Sequence, residues 1–412
     1  MSEGVDTMGL DTPPRLAVDA LLDDPKIRIV VCCGSGGVGK TTTAAALGVR
    51  AAERGRKAVV LTIDPARRLA QSMGIDSLDN TPRRVPLEEG GGTGELHAMM
   101  LDMKRTFDEI VEAHADGERA RAILANPFYQ SLSAGFAGTQ EYMAMEKLGQ
   151  LRAQDDWDLI IVDTPPSRSA LDFLDAPKRL GSFLDGKFIR VLMAPAKVGG
   201  RAGMKFLNVG MSMMTGTLSK LMGASLLKDV QTFVAAMDTM FGGFRTRADA
   251  TFKLLQAPGT AFLVVAAPEP DALREAAYFV ERLAAERMPL AGLVLNRVHG
   301  SGAGQLSAER ALAAAENLED GGIVDQESGK AGLRDAADDG SPDVDEVTAG
   351  LLRLHAERMQ VIARERRTRD RFTSLHPEVA VTEVTALPGD VHDLAGLRAI
   401  GECLSAGVPA GA

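Results

Sequence analysis

Cysteine is scarce in this chain of 412 residues, which contains only Cys32, Cys33 and Cys403. None of the three belongs to a C-x-x-C pair, the spacing that is typical of structural zinc sites. The scarcity argues against a disulfide framework and against a structural zinc site. It favours a protein of the reducing cytosol.

Long uncharged apolar runs are also lacking. The uncharged run 206–219 has 14 residues, whereas a helix needs about 20 to span a bilayer. Residues 1–24 contain Asp and Glu and lack the basic start and apolar centre of a secretory signal. We therefore expect a soluble, cytoplasmic protein without stable transmembrane insertion, and peripheral contact with a membrane stays open.

An excess of negative charge limits the partners of the chain. The formal net charge is −10, which disfavours general affinity for nucleic acid, so we expect no nucleic-acid partner. The charge is uneven along the sequence. Residues 178–256 hold 12 Lys and Arg against 4 Asp, and residues 316–346 hold 11 acids against 2 bases.

Short apolar runs alternate with helical stretches along most of the chain. The strand candidates are 27–33, 57–63, 158–162, 261–267, 291–295 and 379–384, and an Ala-rich helix is predicted over 41–54. Strands that are almost continuously apolar are typical of a parallel sheet covered on both faces. The pattern predicts an α/β fold, a doubly wound and mostly parallel sheet with a helical insertion.

Composition divides the chain into segments. We predict a flexible N-terminus over 1–25, a first part of the core over 26–177 with a helical segment at 103–151, a Met-rich basic helical insertion over 178–256, a second part of the core over 257–405 and a tail over 406–412. Within the second part, about 318–345 is rich in Gly, Asp and Ser and is predicted to be a disordered loop.

A glycine-rich segment follows the first predicted strand. It reads G-S-G-G-V-G-K-T and matches G-x-x-x-x-G-K-[ST] in full, between a strand and a helix. Backbone N–H groups of such a loop cradle phosphates, the lysine reaches the β- and γ-phosphates, and the threonine hydroxyl coordinates Mg²⁺. The expected ATP-binding residues are Gly34, Ser35, Gly36, Gly37, Val38, Gly39, Lys40, Thr41 and Thr42.

Two acids come directly after predicted strands. Asp163 follows 158–162, at the edge where open parallel sheets bind ligands, and would hold the Mg²⁺ shell through water. Asp64 follows 57–63 and could orient or deprotonate the attacking water. Either carboxylate could instead cap the helix after it, and for Asp64 the spacing alone leaves the two interpretations equal.

The base is predicted from the end of a later strand. A GTPase normally carries Asn-Lys-x-Asp there, whose Asp reads guanine. This chain has Asn296-Arg297-Val298-His299 at that place, with no acid. The segment therefore favours adenine, and we expect ATP and Mg²⁺ as the cofactors.

The ordered motifs resemble the ArsA-type ATPases, which include arsenite-pump ATPases and targeting factors for tail-anchored membrane proteins. The resemblance covers roughly residues 26–400 and rests on residues 34–43, Asp64-Pro65-Ala66, Asp163-Thr164-Pro165-Pro166, Asn296 and Leu387-Pro388-Gly389-Asp390-Val391. Two segments, Cys-Cys-Gly-x-Gly-Gly-Val-Gly-Lys-Thr-Thr-Thr and Asp-Thr-Pro-Pro-Ser-Arg, are most similar to an actinobacterial branch of the family.

The resemblance implies a fold of the deviant P-loop ATPase type and a role for each motif. Asp64 would be the carboxylate of switch I that acts on the attacking water. Lys40 and Asp163 would be the other catalytic residues, and switch II would begin at Asp163. Asn296 and the region of Pro388 would hold the adenine. The resemblance also implies a dimer that closes around two ATP molecules.

One residue departs from the family pattern. Members usually carry a lysine directly after the first glycine of the loop, and this lysine reaches the partner's phosphates across the dimer. Ser35 stands there in this chain and cannot stabilise charge at that distance. We therefore expect a hetero-dimer with a lysine-containing paralogue. The alternative is a self-sufficient homodimer in which serine is tolerated.

The composition of the basic insertion suggests which process ATP hydrolysis drives. The insertion holds eight of the 18 methionines: Met193, Met204, Met211, Met213, Met214, Met222, Met237 and Met240. Flexible thioethers suit a groove for apolar client helices, although methionines at helical spacing could equally fill an ordinary core. An ATP-driven switch for hydrophobic client or membrane-protein segments is therefore predicted. Two alternatives are the energising subunit of an anion transporter and a position-setting ATPase.

Overall fold

One eight-stranded sheet organises the chain. The computed structural model describes residues 13–63, 68–87, 93–127, 129–130, 133, 139–165, 243, 246–327 and 344–406. The strands are β1 (Ile29–Cys33), β2 (Lys57–Thr62), β3 (Arg83–Arg84), β4 (Glu95–Met100), β5 (Leu159–Asp163), β6 (Thr260–Ala266), β7 (Leu290–Val298) and β8 (Val381–Thr385). Their order is β3-β4-β2-β5-β1-β6-β7-β8, and every neighbouring pair is parallel except β3 with β4. The predicted fold class is confirmed.

Helices cover both faces of this sheet. Those with defined bounds are α1 (Val18–Asp23), α2 (Lys40–Glu53), α3 (Arg68–Ser72), α4 (Met103–His114), α5 (Gly117–Leu124), α6 (Thr139–Gln154), α7 (Pro270–Ala285), α8 (Ala308–Glu327), α9 (Val344–Leu375) and α10 (Leu394–Ala406). Residues 246–256 are also helical. No helix in the described ranges is long and apolar enough to cross a membrane.

Alternate residues of the central strand enter two separate apolar layers. Ile29, Val31 and Cys33 pack in the layer that includes side chains of α4, α6 and α7. Val30 and Cys32 face the opposite layer, which includes side chains of α1, α2 and α10. Because both faces are covered, every residue of β1 is buried, and this explains its continuously apolar sequence.

The strand register brings three carboxyl ends to one edge of the sheet. Cys32 of β1 pairs with Asp163 of β5, and Thr62 of β2 pairs with the same aspartate from the other side. Strand β7 lies beyond β6 and ends at this edge with Asn296 near its last residue. The loop after β1, Asp163 and Asn296 are therefore neighbours in space.

Two features differ from the sequence predictions. Strands β3 and β4, at one side of the sheet, had no counterpart among the predicted strands. Residues 318–327 of the predicted loop are helical instead, because α8 extends to Glu327 and packs along α9, where Arg353 binds Glu319 at 2.5 Å. Helix α9 begins at Val344, and residues 328–343 between the two helices lie outside the described residues.

Several predicted segments lie wholly or partly outside the described residues. These are residues 1–12 of the N-terminus, Asp64, the end of the first core part (166–177), residues 178–242 and 244–245 of the Met-rich insertion predicted over 178–256, and the tail from 407. The domain boundaries given above therefore stay predictions.

Candidate nucleotide-binding site

The glycine-rich loop joins the end of β1 to the start of α2, as its sequence predicts. Gly34 and Gly39 have φ angles of +152° and +95°. A Cβ atom on Gly34 would lie 2.1 Å from the carbonyl oxygen of Val265, and one on Gly39 would lie 2.2 Å from Nδ2 of Asn296. Both positions therefore require glycine, because the loop runs directly against β6 and against the end of β7.

The side chain of Lys40 binds back to the glycine-rich loop that precedes it. Lys40 is the first residue of α2, its side chain is buried, and its Nζ donates to the backbone oxygen of Ser35 at 2.7 Å. The amino group thus lies at the N-terminus of a 14-residue helix, where the unpaired N–H groups and the helix dipole favour an anion.

Asp163 accepts hydrogen bonds from hydroxyl groups of two other elements. Its Oδ2 accepts a hydrogen bond from Thr41 Oγ1 of α2 at 2.8 Å and another from Thr62 Oγ1 of β2 at 2.8 Å. The carboxylate is fully buried. A carboxylate and a threonine hydroxyl at this distance are hard oxygen donors of the type that Mg²⁺ takes together with waters and phosphate oxygens. The residues present therefore fit a magnesium ion.

No other cluster in the described part of the chain suits a metal. Groups of three or more His, Cys, Asp or Glu side chains in position to hold an ion do not occur in those residues.

A cavity of about 880 Å³ continues from the loop across the sheet edge. Asn296 lines it and donates from Nδ2 to the backbone oxygen of Val38 at 2.8 Å, which ties β7 to the loop. Pro388, in the segment after β8, lines the same cavity. A cavity of this volume is within the range that small-molecule ligands occupy.

Two further residues of the cavity were not predicted. Arg297 has a left-handed φ of +63°, and the register between β7 and β8 shifts at this point. His299 lines the cavity and makes two contacts with Glu365 of α9, from its backbone N–H at 2.9 Å and between Nδ1 and Oε1 at 2.6 Å. A non-glycine residue at positive φ is uncommon and often marks a functional site.

Most of the predicted site residues meet at this edge. The loop residues 34–39, Lys40, Thr41 and Thr42 of α2, Asp163, Asn296 and Pro388 all border the same region. Asp64 lies outside the described residues. The residue before it, Ile63, donates its N–H to the backbone oxygen of Asp163 at 3.0 Å and therefore lies beside the end of β5.

The two cysteines on β1 lie beneath the loop. Cys32 and Cys33 are buried on opposite faces of the strand. Burial raises the pKa of Cys33 to about 12, and burial together with the charge of Asp163 raises the pKa of Cys32 well above its ordinary value. Both side chains are therefore neutral thiols near neutral pH, and neither is prepared to bind a soft ion.

Several known proteins are similar to this chain. The family model described as anion-transporting ATPase (ArsA_ATPase) matches residues 27–310. ATPase GET3 of Podospora anserina is 25% identical over 302 residues, which are 72% of this chain and 81% of that protein. ATPase GET3 of Malassezia globosa is 29% identical over 168 residues, which are 41% of this chain but only 47% of that protein. An ATPase ASNA1 homolog of Entamoeba histolytica is 28% identical over 184 residues, 43% of this chain and 54% of that protein.

Proposed function

The chain belongs to the family of anion-transporting ATPases, and from this membership we propose that it is a dimeric ATP-driven switch for hydrophobic client or membrane-protein segments. Membership makes it an ATPase. The observation that carries the assignment of its site is the 2.8 Å contact between Thr41 Oγ1 and Asp163 Oδ2 at the start of α2. This hydrogen bond links the phosphate loop to β5, the strand whose end would respond to the bound nucleotide.

Each residue of the site has a role in this proposal. Lys40 exchanges the backbone oxygen of Ser35 for the β- and γ-phosphates, while the N–H groups of the loop hold the other phosphate oxygens. Thr41, and Asp163 through water, would hold Mg²⁺, which neutralises charge on the phosphates. Asn296 and Pro388 hold the adenine in the cavity.

Hydrolysis needs a group that orients or deprotonates the attacking water, and we assign this role to the carboxylate of Asp64. Its support is the order of the motifs and the position of Ile63 against Asp163. Asp64→Asn should therefore bind ATP and retain it without turnover.

Client binding is assigned to the Met-rich basic segment 178–256. Its support is the composition of that segment and the resemblance to targeting factors of this family. ATP binding and hydrolysis would close and open the dimer and so change the access of a client to the segment. Such a protein works in the cytoplasm and meets membranes only at their surface.

Ser35 suggests that the active dimer is mixed. Its side chain is partly exposed and its backbone oxygen accepts from Lys40, but serine brings no cation to a partner's phosphates. We infer that a lysine-containing paralogue supplies the trans lysine to the ATP site of this chain. The paralogue's own site, facing Ser35, would then be impaired.

The test measures mass and ATPase activity of the purified protein alone and with candidate paralogues. We expect weak activity alone, strong activity in a mixed dimer, and a gain in the homodimer on Ser35→Lys. A fully active homodimer that Ser35→Lys leaves unchanged would contradict the hetero-dimer. Asp64→Asn in the active complex then checks the role of the carboxylate, since turnover should stop while ATP stays bound.

Anion transport is the second candidate, because the family description names it. Arsenite would need soft thiol ligands, and the buried neutral thiols of Cys32 and Cys33 disfavour that use. Copurification separates the two functions. Membrane proteins retained in an ATP-dependent manner support client binding, whereas stimulation of the ATPase by arsenite that depends on the cysteines supports transport.

A further inference from the structure

A groove of about 490 Å³ lies between α7 and α9 and shares no lining residue with the nucleotide cavity. Its floor is apolar. Leu273 of α7 and Phe372 of α9 are each 4% exposed and belong to the core beneath it, while Leu375, 68% exposed, stands open at one end. An occupant of the groove would therefore bring apolar side chains to it.

The rim of the groove is strongly basic. Arg364, Arg367 and Arg371 of α9 line it, are exposed, and follow one another at spacings of three and four residues, so they lie along one face of the helix. Arg274 of α7 faces them across the groove and binds Asp271 at 3.0 Å, a pair open to water.

Arg364, Arg367 and Arg371 make no ion pair within the described residues. The acids closest to them in the sequence of α9 are engaged elsewhere: Glu365 binds His299, and Asp370 binds Arg369. Positive charge thus accumulates at this groove in a chain whose net charge is −10. Guanidinium groups of this kind pair with carboxylates through two parallel hydrogen bonds.

We propose that the groove between α7 and α9 binds an acidic amphipathic helix of a partner protein. Carboxylates three and four residues apart on such a helix match the spacing of Arg364, Arg367 and Arg371, and an apolar strip beside them matches the floor of Leu273 and Phe372. Lipid headgroups have no fixed spacing, and a membrane surface favours a broad basic face over a narrow concave groove. The surface is separate from the ATP site and adds a partner to the proposed switch.

The test uses two fluorescein-labelled helical peptides of about 15 residues, a length at which isolated helices begin to persist. The first carries a leucine strip flanked by Glu at the spacing of the three arginines, and the second has Lys in place of each Glu. Fluorescence anisotropy follows their binding to the full-length protein. Vesicles of phosphatidylglycerol and of phosphatidylcholine, assayed by flotation, are the lipid probes.

Two triple variants have equal net charge. The groove variant carries Arg364→Glu, Arg367→Glu and Arg371→Glu. The control variant carries Arg121→Glu, Arg310→Glu and Arg366→Glu, three exposed arginines that lie outside the groove and form no ion pair in the part of the chain that the structure describes. Unchanged ATPase activity and thermal unfolding would show that both variants are folded.

We expect the Glu peptide to bind the wild-type protein and the control variant, and to bind the groove variant at least about tenfold more weakly. The Lys peptide should show the reverse preference and bind only the groove variant. The proposal is overturned if the Glu peptide does not bind saturably, if both variants weaken it equally, or if phosphatidylglycerol vesicles bind through the groove while the peptide does not.

Discussion

Asp163 shows how one side chain connects three elements. A single carboxylate oxygen accepts from Thr41 of α2 and from Thr62 of β2, while its own backbone belongs to β5. A shift of the nucleotide or of its metal ion at Thr41 would therefore displace Asp163 and, through it, the ends of β2 and β5. The side chain that is proposed to hold the ion therefore also links α2, β2 and β5.

Asp163→Asn should separate nucleotide binding from hydrolysis. The amide keeps an acceptor for the threonine hydroxyls but removes the charge that Mg²⁺ needs, so we expect ATP to bind and turnover to fall by at least about 100-fold. Steady-state ATPase activity against Mg²⁺ concentration, in the complex that is active, measures the effect. Fluorescent-nucleotide titration measures the binding.

Asp158→Asn is the matched control for this change. Asp158 precedes the same strand at its other end, is exposed, and accepts from the backbone N–H of Lys57 at 2.9 Å. Its variant should retain normal activity. Turnover by Asp163→Asn equal to that of the control at every Mg²⁺ concentration would exclude the proposed role of the carboxylate.

At the residue scale, the sequence predicted the positions of those candidate residues that belong to a local motif. The loop residues and Asp163 were found because a strand, a glycine-rich segment and a helix follow one another along the chain. Thr62 was missed because its role depends on the register of β2 against β5, which sets it opposite Asp163. Arg297 was missed because its backbone conformation arises only where β7 meets β8.

At the scale of the elements, one buried arginine connects the segments at the amino ends of β1, β2 and β5. Arg56, just before β2, donates to the backbone oxygens of Leu22, Ile27 and Asp158 at 2.9, 2.7 and 2.5 Å. These acceptors lie on α1, before β1 and before β5. Burial lowers the pKa of the Arg56 guanidinium, and the carbonyl groups around it compensate for the lost water.

Arg56→Met should therefore weaken the contacts that connect α1, β1, β2 and β5. Methionine fills much of the volume but leaves several carbonyl groups without a donor, and we expect the free energy of unfolding to fall by about 2–4 kcal/mol. Urea unfolding followed by circular dichroism measures the change.

Arg54→Met provides the comparison, because Arg54 is more exposed and pairs with Asp19 and Asp23 at the surface. Its loss should cost at most about 1 kcal/mol. If the two variants unfold at the same urea concentration, Arg56 does not connect these elements as described.

Differences in burial explain why the sequence predicted the central strands and missed β4. Strands β1, β5 and β6 are central and buried throughout, so their sequences are continuously apolar. Strand β4 lies next to the short edge strand β3, and Glu95 and His97 on it are only partly buried. Polar residues are tolerated there, and they interrupt the apolar run by which the other strands were recognised.

At the scale of the whole molecule, the ligand edge follows from the parallel arrangement of the sheet. Strands β1, β5 and β7 all run toward this edge, and each contributes a part of the site at its carboxyl end: the loop, Asp163 and Asn296. Parallel strands with helices on both faces leave an open edge of this kind. The same arrangement encloses β1, with its two cysteines, between both apolar layers.

The position of β1 therefore predicts how the whole protein reacts with thiol reagents. Cys32 and Cys33 lie inside the two layers, and burial raises the pKa of both thiols. Cys403 on α10 is only partly buried. A thiol reagent near neutral pH should modify Cys403 in the folded protein, and all three cysteines only after denaturation, because reaction needs both access and a thiolate.

Mass spectrometry of the labelled protein checks this prediction, with Cys403→Ser as the control that should stay unlabelled while folded. Because two of this chain's three thiols are enclosed and neutral, arsenite should not change the ATPase activity of the active complex through this chain. Rapid labelling of Cys32 or Cys33 in the folded protein would mean that β1 is accessible. Anion transport would then become the better explanation of the ATPase, because soft ligands would stand directly beneath the phosphate loop.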